Sequence, residues 1–265
     1  MEEDDLGVPV TAKIKFLGTA GGRFAVINQI RASGGWVLEM DGYMLHVDPG
    51  PGALVRAKQY GVDISKLDGV MVSHAHPDHS IDSEMVIEGM TMGAKVKRGF
   101  LLSNKTVFDG SDGFRPVVSP YHKKAVKDIF VVKPGDVVDV GGISIEAVPT
   151  DHSEPDGLGF VFRGSSTIGF TGDGEYFDSQ PGHFKGCDCL LINCLRPRSI
   201  TWPKHMNSDD ARKLIAEANP GMAVLHHFGI RMINRAGHEA KWIEKETGIK
   251  TIAARDGLSV DVGKP

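Results

Sequence analysis

The chain has 265 residues, a formal net charge of -4 and a pI near 6.3, a balance that gives no global electrostatic reason to expect nucleic-acid binding, although a local basic patch stays open. Hydrophobic residues make up 41% and charged residues 24%, which excludes the compositions of disordered and fibrous chains. Glycine is in excess at 33 residues, and with its Asp-Gly and Gly-Gly dipeptides it predicts tight turns between many short strands.

In chain order, residues 1–10 are expected to form a flexible acidic tail. The opening M-E-E-D-D-L-G has neither the basic start nor the apolar run of a secretory signal. No later stretch approaches the roughly 18 consecutive apolar residues of a membrane span, so a cytoplasmic protein with no membrane partner is expected. Lys13 to Leu17 alternates as a half-buried strand does and runs into the loop G-T-A-G-G-R. That loop lacks the lysine-serine pair of a nucleotide-cradling P-loop. Trp36 to Met40 and Tyr43 to Val47 flank Asp41-Gly42, a strong hairpin signal. A short helix is predicted from about Ala53 to Tyr60, ended by Gly61, then an apolar strand from Gly69 to Ser73. Phe130 to Val132, Val137 to Val140 and Ile143 to Val148 read as a strand series broken by Pro134-Gly135 and Gly141-Gly142. Gly159 to Arg163 and Thr167 to Thr171 make a further hairpin. Beyond them lies G-C-D-C-L-L-I-N-C, with Cys187, Cys189 and Cys194. An odd count in one apolar segment argues against a disulfide framework, and the segment reads as a buried strand with core cysteines, the C-x-C metal site being the alternative. Asn207 or Ser208 can cap a helix to about Ala218, Met222 to His226 is a strand, Ala236 to Thr247 a helix, and Thr251 to Val262 a last hairpin around Asp256-Gly257. No linker or repeat is visible, and the pattern predicts two packed sheets covered by helices.

The chemistry concentrates in V-S-H-A-H-P-D-H-S-I-D, residues Val72 to Asp82. His74 and His76 can grip one cation while Asp78 and His79 turn toward a second. Imidazole and carboxylate suit zinc, manganese or iron. Further ligands are expected where other strands end: Asp151-His152-Ser153, Asp173 in Thr171-Gly172-Asp173-Gly174, and His226-His227 before Phe228. Asp48, in H-V-D-P-G-P-G, holds the same kind of position.

These motifs, in this order from F-L-G-T-A-G-G-R through H-V-D-P-G, H-A-H-P-D-H, P-T-D-H-S and F-T-G-D-G to V-L-H-H-F-G, resemble the metallo-β-lactamase-fold hydrolases. The resemblance covers nearly the whole chain and implies a single domain over 1–265, an α/β (α+β) chain folded as a four-layer αββα sandwich. By that resemblance His74, His76 and His152 hold a first divalent ion, Asp78, His79 and His227 a second, and Asp173 bridges them. His227 is chosen over His226 because it directly precedes Phe228. Asp48 resembles the buried aspartate that orients ligands by hydrogen bonds. His76 stands where di-iron relatives carry glutamate, and Asp173 where antibiotic-destroying enzymes most often carry cysteine.

His205, in W-P-K-H-M-N-S-D-D-A-R, is similar to the histidine that ribonuclease Z and related phosphodiesterases use toward the leaving group. Ribonuclease Z also carries a long arm that grips tRNA; only about twenty residues separate His152 from Asp173 here, so no such arm is expected. The family's G-D-T or G-D-S is G-D-G in this chain, and the family's glycine pair after the histidine motif is replaced by Ser80-Ile81. The resemblance thus implies a binuclear metal-dependent hydrolase, a phosphodiesterase whose metal-bridging hydroxide attacks phosphorus with Asp78 orienting it and His205 protonating the leaving group. The expected substrate is an anionic small molecule or short nucleotide phosphodiester. Thioester or lactone hydrolysis is the alternative, a non-catalytic metal-holding binding protein a third reading, and self-association is left open. Arg23, Arg196, Arg198 and Lys204 are candidates for substrate phosphate, each weighed against an ordinary solvated role.

Overall fold

The computed structural model describes residues 10–263; the acidic stretch expected as a tail lies, Val10 apart, outside the described residues. The chain lays down β1 (Val10–Phe16), β2 (Trp36–Met40), β3 (Tyr43–Val47), β4 (Gly69–Val72), β5 (Phe100–Ser103) and β6 (Asp128–Val131) in one sheet. It then builds β7 (Val137–Val140), β8 (Ile143–Pro149), β9 (Leu158–Arg163), β10 (Thr167–Phe170), β11 (Cys189–Asn193), β12 (Met222–His226) and β13 (Thr251–Ala253) in a second. It returns to the first sheet as β14 (Ser259–Gly263). The strand orders are β14-β1-β2-β3-β4-β5-β6 and β13-β12-β11-β10-β9-β8-β7.

In each sheet the pairings are antiparallel on one side and parallel on the other. The antiparallel side follows from tight turns: at Asp41-Gly42 both residues have positive φ, 51° and 80°, as a two-residue hairpin turn requires. The parallel strands β4 and β11 are buried along their whole length and, Asn193 apart, apolar, as strands covered on both faces must be. Between the sheets lies one core, in which Trp36 meets Phe162 and Phe170 edge-on at 5.9 and 5.3 Å, with Phe16, Leu38, Phe160 and Leu191 around them. Each such side chain contributes about 1.5–3 kcal/mol on burial. The outer face of the first sheet packs on helices Ala53–Gln59 and Ser83–Met90, that of the second on helices Ser208–Ala218 and Ala236–Thr247. The αββα sandwich is therefore the fold. The three cysteines are free and buried, and burial pushes the Cys187 and Cys194 thiols up to about 12.

Two expectations need correction. Thr251 to Val262 is no hairpin: β13 pairs in parallel with β12 and β14 antiparallel with β1, in different sheets. Asp256 is bound elsewhere, accepting from Thr19 Oγ1 and the Ala32 N–H at 2.7 Å each, so the Asp-Gly turn carries the chain across the sandwich. Likewise β6 pairs with β5 in the first sheet and is separate from β7 and β8; Pro134-Gly135 marks the crossing.

This topology sets where the strand ends fall. β10, β11 and β12 are parallel neighbours in register, and β8, reversed twice through β9, runs the same way as β10. Their C-terminal ends therefore share one edge. β3 and β4, also parallel, end at the same edge of the sandwich, where the Leu158 N–H donates to Ser73 O at 3.0 Å.

Candidate metal centre

At that edge the structure gathers His74, His76 and His152; His74, His79 and Asp173; Asp78, His79 and His227; and His152, Asp173 and His205, each group with one potential ligand atom per residue within 4.8 Å of the others. The first loop is rigid for reasons visible in its own residues. Pro77 begins the short helix Pro77–Ser80, which places Asp78 and His79 on one turn. The Ser80 hydroxyl donates to His76 O at 2.9 Å and to Ala75 O at 3.2 Å. Burial raises the Asp82 carboxyl against the pull of the Leu54, Gly52 and Ala53 N–H groups, which it faces at the start of helix Ala53–Gln59. The stretch Ser80-Ile81-Asp82 is thus the brace of the histidine loop.

Hydrogen bonds on the outer ring nitrogens decide what the inner ones present. His79 Nδ1 lies 2.8 Å from Asp48 Oδ2, an acceptor, so it carries a proton. Ser73 Oγ donates to that same carboxylate at 2.8 Å and therefore accepts from His74 Nδ1 at 3.0 Å. His152 Nδ1 donates to Lys204 O at 3.0 Å. A neutral imidazole protonated on one nitrogen offers a lone pair on the other. Yet His74 Nε2 and His152 Nε2 lie 2.9 and 3.1 Å from one atom, His76 Nδ1, and His79 Nε2 lies 3.0 Å from His227 Nε2. His76 Nδ1 can carry only one proton, which cannot serve both partners fully, whereas a cation among these nitrogens satisfies all of them. His227 Nδ1, buried and without a hydrogen bond, lies 3.4 Å from Asp173 Oδ1. The donor set fits divalent cations.

The electrostatics agree. Burial pushes the His74 imidazole well below its ordinary value, helped by His79, and does the same more mildly to His76 beside His152. Burial opposes ionisation of Asp173, but His227, His79 and His205 outweigh it and hold the carboxyl well below the usual range. Asp78 is held low in the same way, by His79 and His227 against burial. At His79 burial is overcome by Asp173, Asp78 and Asp48, and its pKa rises well above the ordinary value. A field that favours a proton there favours a metal cation equally.

The other expected residues separate clearly. His226 points away, packing on Phe16 at 5.4 Å and Phe170 at 5.8 Å, and burial pushes it down to about 3. His205 joins the cluster: its Nδ1 is 3.6 Å from Asp173 Oδ2, its ring lies 5.0 Å from His152 and 6.0 Å from His227, and burial pushes it down to about 4 against the pull of Asp173. Lys204 pairs with Asp151 at 2.6 Å, and Arg198 with Glu239 at 3.6 Å while its guanidinium covers Trp242. Arg23 is exposed at the start of helix Arg23–Ile27. Arg31, the other basic residue of that segment, serves the fold, donating to Thr19 Oγ1 and Ala254 O. Arg196 is buried.

Several contributors lie outside the motifs read from sequence. Glu154, fully buried, accepts from the Ala75 N–H, between two histidines of the loop, and from Asn104 Nδ2 at 3.0 Å. Asn104 also donates to Asp156 O at 2.8 Å. Asn193 Nδ2 donates to Asp173 Oδ1 at 2.6 Å. Glu154 and Asn193 each lie within a few residues of a recognisable motif, the one signal that could have raised them. The glycines of G-T-A-G-G-R have a steric purpose, since a Cβ on Gly21 would lie 2.2 Å from His227 Nδ1. At Gly174, where relatives of the family carry threonine or serine, a Cβ would come within 3.0 Å of the Asp151 N.

Residues 43–228 match the model of the beta-lactamase superfamily domain. The chain belongs to the beta-lactamase superfamily. Within it, the chain is 36% identical over 253 residues to an uncharacterized protein of Methanocaldococcus jannaschii, covering 94% of this chain and 95% of that one. It is 28% identical over 227 residues, 82% of this chain and 88% of the other, to a Bacillus subtilis protein named probable metallo-hydrolase YhfI. A ribonuclease Z of Methanopyrus kandleri is 25% identical over 250 residues, covering 89% and 83%. Among solved structures, the metallo-beta-lactamase fold protein YhfI superimposes with a TM-score of 0.78 at 23% identity over 94% of this chain and 99% of its own. A diphosphatase from the PhnP family gives 0.70 at 18% over 96% and 100%. These likenesses show the shared fold, and membership in the superfamily supports a hydrolase activity. No described helix of this superfamily member is long and apolar enough to cross a membrane.

Proposed function

We propose that the protein is a binuclear metal-dependent hydrolase, most suited to phosphodiesters. In this reading His74, His76 and His152 would hold one divalent cation and Asp78, His79 and His227 another. Asp173 lies between the two sets of residues, with Oδ2 at 3.3 Å from His79 Nε2 and 4.0 Å from His74 Nε2. Zinc, manganese and iron all suit this donor set. When bound, such cations lower the pKa of water and stabilise negative charge on a reacting oxygen. Asp48, through Ser73 and His79, fixes which nitrogen of two rings faces inward. Asp78, partly open to solvent and 3.6 Å from His227 Nε2, is placed to orient the attacking water or accept its proton.

The observation that carries the phosphodiester reading is His205. It is an imidazole within reach of Asp173, yet it reaches the cluster from the loop between β11 and helix Ser208–Ala218, apart from the histidine loop. With Nδ1 toward Asp173, its Nε2 is free to give a proton to a departing alkoxide. The negative charge of a phosphodiester beside the ring acts in the same direction as Asp173, favouring the protonated form. The relatives named ribonuclease Z and the PhnP-family neighbour are in keeping with this reading.

The test is a substrate panel of phosphodiesters, thioesters and lactones on metal-replete protein, with His205→Ala beside it. Cleavage of phosphodiesters is expected. In the variant, esters with a poor alkoxide leaving group should lose about 10²–10⁴-fold, while nitrophenyl esters, whose leaving group needs no proton, lose far less. Equal losses on both would remove His205 from the proton transfer, and an intact phosphodiester panel would reject the reading.

A further inference from the structure

The basic residues after β11 have different surroundings. Lys204 and Arg198 face carboxylates. Arg196, among the described residues, has no ion pair and no side-chain hydrogen bond. It is only 9% exposed, and its Nε is sealed from solvent without an acceptor. Its guanidinium lies over the Trp202 ring, 4.7 Å from the centroid. Burial works against its charge, and the one neighbouring charge bearing on it, that of Arg231, works the same way. A buried cation beside a second cation lacks a partner that folding alone would be expected to supply. A guanidinium lying over an indole still has N–H groups to offer an oxyanion.

The position of this pair is fixed by backbone. Arg196 bridges to Asn207, and its carbonyl accepts from the Ser208 N–H at 3.1 Å. Trp202 bridges to His205, which stands 3.6 Å from Asp173. The turn from Trp202 to His205 therefore has the Arg196 platform at one end and the centre at the other.

We propose that Arg196, seated on Trp202 with Arg231 beside it, is an anion subsite for a second phosphate group of the substrate, distinct from the phosphodiester cleaved at the centre. The assignment rests on the hydrolytic reading of that centre, and its substrate class is a phosphodiester that also carries a phosphomonoester. A nucleoside 2′,3′-cyclic phosphate with a 5′-phosphate is a usable probe of that class.

Two measurements separate the subsite from the reaction. First, inorganic phosphate is titrated into the metal-loaded protein in a Trp242→Phe background, which leaves the exposed Trp202 and the fully buried Trp36, with the emission of the exposed indole as the readout. A saturable change is expected in the parent, and its loss in Arg196→Gln. Arg231→Glu, at an exposed position, offers Arg196 a carboxylate of its own and should abolish the response as well, which keeps the test valid should Arg196→Gln misfold. An unaltered response in either folded variant overturns the subsite. Second, the parent should prefer the 5′-phosphorylated cyclic nucleotide over its unphosphorylated counterpart by about tenfold in kcat/KM, mainly through KM, and Arg196→Gln should erase that preference. A preference that survives in Arg196→Gln contradicts the proposal. Cleavage of neither nucleotide counts against the phosphodiesterase reading, while the phosphate titration still decides the subsite.

Discussion

Glu154 shows what single residues contribute beyond the proposed ligands. Its carboxylate joins the Ala75 N–H, in the histidine loop, to Asn104 at the start of helix Lys105–Asp109, and its own loop carries His152. Removing it leaves a buried N–H unpaired and frees two ligand loops from each other. Glu154→Ala should therefore weaken metal binding by about 10–100-fold, measured by competition with a chromogenic chelator, with Glu154→Gln recovering part of the loss through its amide oxygen. Unchanged affinity in Glu154→Ala would make the residue purely structural. The clustering of H-x-H-x-D-H could be read from sequence because its four candidate ligands share one loop. Glu154 could not, because its meaning lies in a backbone N–H 79 positions away, and in H-S-E-P-D it looks like an ordinary acidic turn. Asp82 was opaque for the same reason, since the helix start that it faces is brought near only by folding.

Among elements, helix Ser208–Ala218 was legible since its signals are local: Asn207 accepts from the Asp209 and Asp210 N–H groups, and Asp210 closes the capping box. The hairpin at Asp41-Gly42 was legible on the same ground. Thr251 to Val262 was misread because two strands around an Asp-Gly turn have the same pattern whether they pair with each other or with different sheets. Residues 83–127 gave no reading, and their order comes from contacts between elements. There Glu84 and Glu88, on helix Ser83–Met90, flank His122 at 3.0 and 3.1 Å, and the Ser119 N–H donates to Glu84 at 2.7 Å. Burial opposes ionisation of Glu84, but Ser119 and His122 prevail and lower its pKa from 4.5. A carboxyl depressed in the folded state stabilises above its unfolded pKa, and that contribution is lost as pH falls through the folded value. The difference in urea midpoint between the parent and Glu84→Gln should accordingly be present at pH 6 and shrink as pH drops below about 4.5. A difference independent of pH would contradict this account of the contact.

At the scale of the molecule, the two sheets repeat one pairing scheme, antiparallel then parallel, although no repeat is visible in the sequence. The cluster forms because both sheets end strands at one edge: His74, His76, Asp78 and His79 follow the first, and His152, Asp173 and His227 the second. Strand β14 returns from the C-terminal part to pair with β1, and one core spans both sheets. We therefore expect a single cooperative unfolding transition, as for one domain, with a midpoint that falls when chelator strips the metal, because ligands that bind only the folded state stabilise it. Two separate transitions would instead indicate halves that fold independently.

Elemental analysis of metal-replete, gel-filtered protein tests the central claim most directly. About two equivalents of divalent metal per chain are expected, as a two-metal hydrolytic site requires, with a clear drop in Asp173→Ala, which removes the carboxylate between the two groups. Metal well below one equivalent in the parent, or a content untouched by Asp173→Ala, would contradict the binuclear centre.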